Sequence, residues 1–240
     1  RAVDPEILVK VFEGLMYGER RHSSGSFYTP RDIVRDIVVG ALASQLAESS
    51  EVDRQRLVAI MEGRTTDLPD PAADRIADTL ASFHLLDPAV GTGAFLLEAE
   101  RSLERVYRAC GASADFTSRY ELRRAIVHRH LFGVDLQRTA VRICELRLWL
   151  SLMTAMPDWP IAEIPPLPNL AHRVACGNSL LSPDDLRELR AGGRGQGPWA
   201  MDRTDRVDGE HRRQMRQTQD AFLLAHGPQK VRLRARLKEL

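Results

Sequence analysis

The amino-acid sequence predicts an α/β fold built on a parallel sheet. Three short apolar segments have the length of strands, at residues 84–87, 130–135 and 172–176. Longer segments with apolar residues at three- and four-residue spacing separate them, as in amphipathic helices. The resulting order of strand, helix, strand, helix, strand favours parallel strands joined by crossover helices.

Helices are predicted both before and after the first strand along the chain. Residues 5–17 carry one apolar stripe, and a further helix follows Thr29, a suitable N-cap, and Pro30, which suits a first helical turn. We expect the buried face of that helix to hold Ile33, Val34, Ile37, Val38, Leu42 and Leu46. The polar region 48–74, broken by Pro69 and Pro71, predicts one short helix around 57–61. Longer helices are predicted over 94–108, 120–129 and 139–156, the last with an apolar face of Val141, Cys144, Leu148 and Leu152. Five prolines between 157 and 168 exclude regular structure there.

Composition narrows the class of protein. The chain has 240 residues, with 34 Lys+Arg against 33 Asp+Glu, and 43% of it is hydrophobic, as in ordinary soluble domains. No apolar run approaches the roughly 18–20 residues of a membrane span, so we expect no membrane partner. The three cysteines are too widely spaced for a disulfide framework or a CxxC metal site, which predicts a reduced, cytoplasmic setting and no metal.

Charge and flexibility divide the chain into three expected parts. Residues 1–28 form an N-terminal helical arm, 29–186 a ligand-binding α/β region, and 187–240 a basic helical insertion or extension. The last part carries 13 basic and 7 acidic side chains, which indicates either a solvated helical face or a polyanionic partner. A glycine-rich stretch at 192–198 predicts a flexible break near its start.

A glycine-rich turn follows the first predicted strand. Gly91 and Gly93 come shortly after Asp87, and two glycines at this spacing let a backbone approach a ligand closely. The helix that follows offers free N–H groups to an anionic group. The third small residue of a dinucleotide fingerprint is replaced by Leu96. A tight turn without a ligand is therefore the alternative to a binding loop.

Polar residues also follow the other two predicted strands. Asp135 closes the second strand, where an acidic residue can hold a ribose diol, or else can cap the next helix. Asn178 follows the third strand and can offer a donor and an acceptor to a purine edge, or else can form a turn. In open parallel sheets ligands bind at the carboxyl ends of the strands, so we expect Asp87, Asp135 and Asn178 to face one ligand.

Four strings, in this order, resemble the N-terminal half of N6-adenine DNA methyltransferases of the gamma arrangement. They are GSFYTP at 25–30, LDPAVGTGAFL at 86–96, FGVD at 132–135 leading to LRLWL at 146–150, and LPNL at 167–170 followed by CGNSLL at 176–181. The likeness is greatest to the large single-chain enzymes of type IIG restriction-modification and phage-defence systems. It implies a partial Rossmann-like class I methyltransferase sheet, preceded by an N-terminal helical segment and followed by a basic helical extension.

The resemblance implies S-adenosylmethionine as the cofactor. Thr29 would contact its methionine end, Asp87 its ammonium, and Asp135 its ribose hydroxyls. Asn178 would meet the adenine, where many relatives have Asp. The other implied contacts lie beside these residues or in the glycine loop: Tyr28, Pro30, Pro88, Ala89, Gly91, Gly93, Phe95, Leu136 and Ser179.

The catalytic motif of these enzymes, Asn/Asp-Pro-Pro-aromatic, is absent, since the single Pro-Pro pair lies between Ile164 and Leu167. That motif binds the flipped target base. We therefore expect a piece of a longer bacterial cytoplasmic protein, with no catalytic residue in this chain. Its partners would be the missing catalytic and target-recognition regions and double-stranded DNA. The alternatives are a non-catalytic cofactor-binding or scaffold subunit, and a methyltransferase that acts on RNA or protein.

Overall fold

The computed structural model describes residues 29–156, 170 and 172–181. The predicted N-terminal arm, the proline-rich stretch and the basic extension lie outside the described residues, as does Tyr28.

The described chain forms six α-helices and three strands. They are α1 (Arg31–Ser50), α2 (Arg54–Met61), α3 (Asp70–Ser82), β1 (Leu85–Asp87), α4 (Ala94–Ala109), α5 (Arg119–His130), β2 (Leu131–Asp135), α6 (Arg138–Met153) and β3 (Val174–Cys176). A 3-10 turn, Ala112–Asp115, lies between α4 and α5. The predicted order of strands and intervening helices is confirmed.

The three strands form one parallel sheet in the order β1-β2-β3. Asp87 pairs with Gly133, and Asp135 pairs with Cys176 two positions further along β2. Because neighbouring strands run in the same direction, all three carboxyl ends meet at one edge of the sheet. The structure is therefore α/β and consistent with a partial Rossmann-like arrangement.

Among the described residues, the two faces of the sheet differ in exposure, and one of them packs on the helices. A Cβ added to Gly133 would lie 2.8 Å from Val90 and 3.2 Å from Leu96 of α4, so this face is tightly covered. Leu86 pairs with Phe132 and lies on the opposite face, where it is 60% exposed. The apolar segment 84–87 predicts a short buried strand, and the exposure of Leu86 shows that this prediction is wrong for one face.

A single buried cluster joins the first three helices to those around the sheet. Leu42 and Leu46 of α1, Leu57 of α2, Ile76 of α3 and Leu103 of α4 all belong to it. The predicted apolar face of α6 is confirmed, because its members are buried: Val141, Cys144, Leu148 and Leu152.

Two expectations for the region before β1 are corrected. Pro30, not Thr29, is the N-cap of α1 and makes no side-chain capping bond. Ile33 is 49% and Ile37 52% exposed, because the buried stripe runs through Val34 and Val38 and its outer edge faces away from the core.

Region 48–74 contains α2 and also the beginning of a second helix, α3. Pro69 is the N-cap of α3 and a proline stands in its first turn, where the missing N–H costs nothing. These prolines therefore start a helix that the sequence reasoning did not predict. Within the described ranges, no helix is long and apolar enough to cross a membrane, and no group of three potential metal ligands occurs.

Candidate functional site

The loop between β1 and α4, residues 88–93, is named the glycine loop. Gly91 has φ +51° and Gly93 has φ +85°, both in the left-handed region that side chains with a Cβ rarely adopt. The N–H of Gly93 donates to the carbonyl of Val90 at 2.8 Å and closes the turn. The glycines at both positions are thus explained by backbone conformation.

The two glycines face different surroundings. A Cβ added to Gly93 would lie 2.5 Å from Sγ of Cys144 on α6, so the absence of a side chain lets the loop pack on that helix. A Cβ added to Gly91 would meet no described residue within 4 Å. The glycine loop is therefore anchored at Gly93 and open at Gly91, which is where another molecule can approach the backbone.

The carboxylate of Asp135 connects β2 to the glycine loop. Its Oδ2 accepts from the N–H of Gly91 at 2.9 Å, and its Oδ1 accepts from the N–H of Gln137 at 2.8 Å. The alternative interpretation was that Asp135 caps the next helix. The N-cap of α6 is instead Gln137, two positions after Asp135. Asp135 and the glycine loop form one hydrogen-bonded unit.

Asp87, at the end of β1, has one occupied and one unoccupied carboxylate oxygen. Oδ1 accepts from the N–H of Ala89 at 3.1 Å. Oδ2 is buried, and no described residue donates to it. Burial raises the pKa of Asp87, the bond from Ala89 opposes that change, and the negative charge of Asp135 adds to it. A buried carboxylate oxygen in this state suits a cationic N–H donor.

The residues after β3 return to the glycine loop. Oγ of Ser179 donates to the carbonyl of Pro88 at 2.8 Å. Oδ1 of Asn178 accepts from the N–H of Leu180 at 3.0 Å, so Asn178 forms a local turn. Both side chains are exposed, as are Pro88 and Ala89. The structure thus brings the third strand end beside the first.

Thr29 lies in a cleft between the beginnings of α1 and α4. The cleft is lined by Thr29, Arg31, Val34, Ala94, Leu97, Glu98, Arg101 and Arg147. Ala94 directly follows Gly93, so this cleft adjoins the glycine loop. Pro30 is exposed beside it.

The two remaining predicted residues lie at the edges of this arrangement. Phe95 is half-buried and packs against the core, and Leu136 is 49% exposed just after β2. The structure thus places the described candidates on the glycine loop, on the strand ends or in the adjoining cleft.

Sequence reasoning missed Arg147 of α6. This buried side chain donates from Nη1 to the carbonyl oxygen of Thr92 at 2.7 Å and to its Oγ1 at 3.2 Å. The available signal was an arginine next to Leu148 and three residues after Cys144, on a helix face predicted to be apolar. An arginine in that position requires a polar partner.

No family model matches the chain. The chain is 29% identical over 215 residues to a curated protein of Methanocaldococcus jannaschii, "Putative type II restriction enzyme and methyltransferase RM.MjaORFECS2P". The match covers 78% of this chain and 17% of that protein, so the chain spans less than a fifth of its relative. The chain is therefore a distant homologue of a protein to which both restriction and methyltransferase activity are attributed.

Proposed function

We propose that this chain is the S-adenosylmethionine-binding part of a site-specific DNA adenine-N6 methyltransferase from a restriction-modification or phage-defence system. The observation that carries the proposal is the meeting of three groups at one edge of the sheet: the unoccupied Oδ2 of Asp87, the open backbone at Gly91, and Asp135 bonded to it. The distant homology to a protein named as a methyltransferase supports a methyl donor as the ligand.

The donor groups present fit the cofactor's functional groups. The ammonium of the methionine end would supply the cationic partner that Oδ2 of Asp87 lacks. The ribose hydroxyls would bind Asp135, which would share its Oδ2 with Gly91 or release that bond. Asn178 would meet the adenine and Thr29 the methionine end. When bound, S-adenosylmethionine supplies a methyl group made electrophilic by its sulfonium.

The remaining residues of this chain would shape the binding surface. Gly91 has no side chain between the loop backbone and an approaching molecule, and Pro88 and Ala89 are exposed on the same loop. The bond from Ser179 to Pro88 holds the segment after β3 against that loop. Phe95 and Leu136 would contribute apolar contacts at the edges.

The DNA substrate and the transfer step belong to the proposal for the whole protein. This sequence contains no Asn/Asp-Pro-Pro-aromatic string that could hold a flipped adenine. We therefore assign cofactor binding to this chain, and assign base binding and sequence recognition to other regions. The same absence favours a second candidate, a non-catalytic cofactor-binding subunit that acts with a separate catalytic chain.

Calorimetric titration with S-adenosylmethionine tests the proposal. We expect binding by the wild-type chain and a roughly tenfold or greater loss for Asp135→Ala, because a bond to a charged group contributes about 1.5–3 kcal/mol. Asp135→Asn, which keeps an oxygen acceptor for Gly91, separates ribose binding from loop support. Asp78→Ala is the matched control, since Asp78 is an exposed residue of α3, which carries no proposed site residue. No binding by the wild type, or equal binding by Asp135→Ala, would contradict the assignment.

Methyl-transfer assays on the natural protein distinguish the two candidate functions. If it is a DNA methyltransferase, we expect it to transfer labelled methyl groups to adenine in duplex DNA, and we expect this 240-residue chain by itself to transfer none. Transfer that appears only after a second, separately encoded chain is added favours the non-catalytic subunit.

A further inference from the structure

We infer that Arg147 is a positioning residue, which holds the glycine loop in its binding conformation from helix α6. This inference rests on the proposed function for its meaning, since the loop matters because it would carry the cofactor. Its physical basis is independent of that function and lies in how α6 contacts the loop.

Side chains of two different elements bond to the middle of the glycine loop. Asp135 of β2 accepts from the N–H of Gly91, and Arg147 of α6 donates to the carbonyl and the hydroxyl of Thr92. Thr92 stands between two glycines with positive φ, and glycine is the residue type with the greatest backbone freedom. Fixing Thr92 therefore restricts the backbone next to both glycines.

Helix α6 contacts the loop through two residues on one face. Cys144 packs against Gly93, and Arg147, three positions later, bonds to Thr92. The guanidinium is buried, with 4% of the residue exposed, so its bonds to Thr92 are shielded from water. Arg147 contacts the loop at Thr92, whereas a Cβ added to Gly91 would meet no described residue within 4 Å, so the contacts with α6 leave Gly91 accessible.

The test compares Arg147→Met, Arg147→Lys and the control Arg142→Met in the cofactor-free chain. Met keeps most of the apolar volume but has no donor, and Lys keeps the charge and one point of donation. Arg142 is an exposed arginine of the same helix. Hydrogen exchange is measured at the amides of Gly91 and Gly93, with amides of β2 and central α4 as internal references.

We expect Arg147→Met to accelerate exchange at the two loop amides by about tenfold, in line with the loss of a bond to a charged donor. The reference amides keep wild-type rates, Lys restores part of the protection, and the control changes nothing. Affinity for S-adenosylhomocysteine falls in parallel, by about tenfold in the Met variant. Unchanged loop exchange, or equal acceleration at loop and reference amides, would overturn the positioning role.

Two further measurements distinguish a failure of the positioning role from a failure of the proposed function. If the Met variant does not fold, Thr92→Val removes only the hydroxyl acceptor, and we expect a smaller acceleration confined to the same amides; its absence overturns the inference. A wild-type chain that binds no cofactor contradicts the proposed function, and the exchange result still decides the role of Arg147. A wild type that binds cofactor, with normal loop exchange and affinity in the variants, contradicts the positioning role alone.

Discussion

The side-chain carboxylate of Asp135 accepts a hydrogen bond from the backbone N–H of Gly91 across 2.9 Å. These residues are 44 positions apart and belong to the end of β2 and to the glycine loop. The acidic residue proposed to bind ribose therefore also shapes the loop proposed to carry the cofactor. A substitution at Asp135 tests both roles together, whereas the two glycines can be tested separately.

Alanine at the two glycines is expected to have unequal effects. Gly91→Ala adds only the strain of a positive φ, about 1–2 kcal/mol. Gly93→Ala adds similar strain and also places its Cβ 2.5 Å from Sγ of Cys144, so the free energy of unfolding should fall by about 1–3 kcal/mol more. Urea denaturation measures both values. In a Cys144→Ala background the extra cost at Gly93 should shrink, and a cost that stays the same would show that the contact is not its cause.

Cofactor binding should weaken as pH falls if Asp87 binds the ammonium group. Burial raises the pKa of Asp87 above its ordinary value of 3.8, so the carboxylate becomes protonated at a higher pH than a solvated aspartate. Protonation removes the negative charge that attracts the ammonium. Calorimetric dissociation constants measured from pH 7.5 down to pH 5 should rise for the wild type and change less for Asp87→Asn. Parallel profiles for the two proteins would assign the pH dependence to another group.

Glu100 of α4 gives the folded chain a separate pH dependence. It is fully buried, and burial raises its pKa from 4.5 to about 6, although Arg123 and the hydroxyl of Ser151 favour the charged form. A raised folded-state pKa means that the native protein holds its proton longer, so this group's contribution to stability falls as pH rises from about 4.5 to 6.

The variant Glu100→Gln lacks this titration. Relative to the wild type, its free energy of unfolding should improve by roughly 2 kcal/mol between pH 4.5 and pH 7, since one pKa unit corresponds to about 1.4 kcal/mol. Urea midpoints at several pH values provide the measurement. A constant difference across this range would disprove the role of Glu100.

The two faces of α1 should respond differently to truncation. Leu42 is 1% exposed in the core, so Leu42→Ala should cost about 2–5 kcal/mol. Ile37 on the same helix is 52% exposed, and Ile37→Ala should stay within about 0.5 kcal/mol of the wild type. Thermal or urea unfolding distinguishes them. A large loss at Ile37 would mean that a further part of the protein covers this face.

Local patterns were sufficient for the parts of the fold that local physics determines. The apolar segments that end at Asp87 and Asp135 predicted β1 and β2. Gly91 and Gly93 predicted the turn that leads from β1 into α4. Such segments are recognisable because strand length, periodicity and positive-φ turns depend on near neighbours in the chain. Helix α3 was not predicted, because Pro69 and Pro71 were interpreted as helix breakers. Prolines at the beginning of a helix in fact favour it.

Contacts across the sheet could not be predicted in this way. Nothing near Asp135 in the chain indicates that its carboxylate binds Gly91, and nothing near Arg147 indicates Thr92, 55 positions before it. The bond from Ser179 to the carbonyl of Pro88, 91 positions before it, is likewise visible only in the tertiary structure. The exposure of Ile33 and Ile37 depends on which side of α1 faces α2 and α4.

The sequence by itself determined the order of strands and helices, the glycine turn and the polar residues at the strand ends, because each follows from the chemistry of a few adjacent residues. The tertiary structure alone decided which of these residues meet. Parallel pairing brings Asp87, Asp135 and Ser179 to one edge, and the packing of α6 buries Arg147 against the loop. The reason is that hydrogen bonds and burial depend on distances in space, and the crossover helices bring residues together that are far apart in the chain.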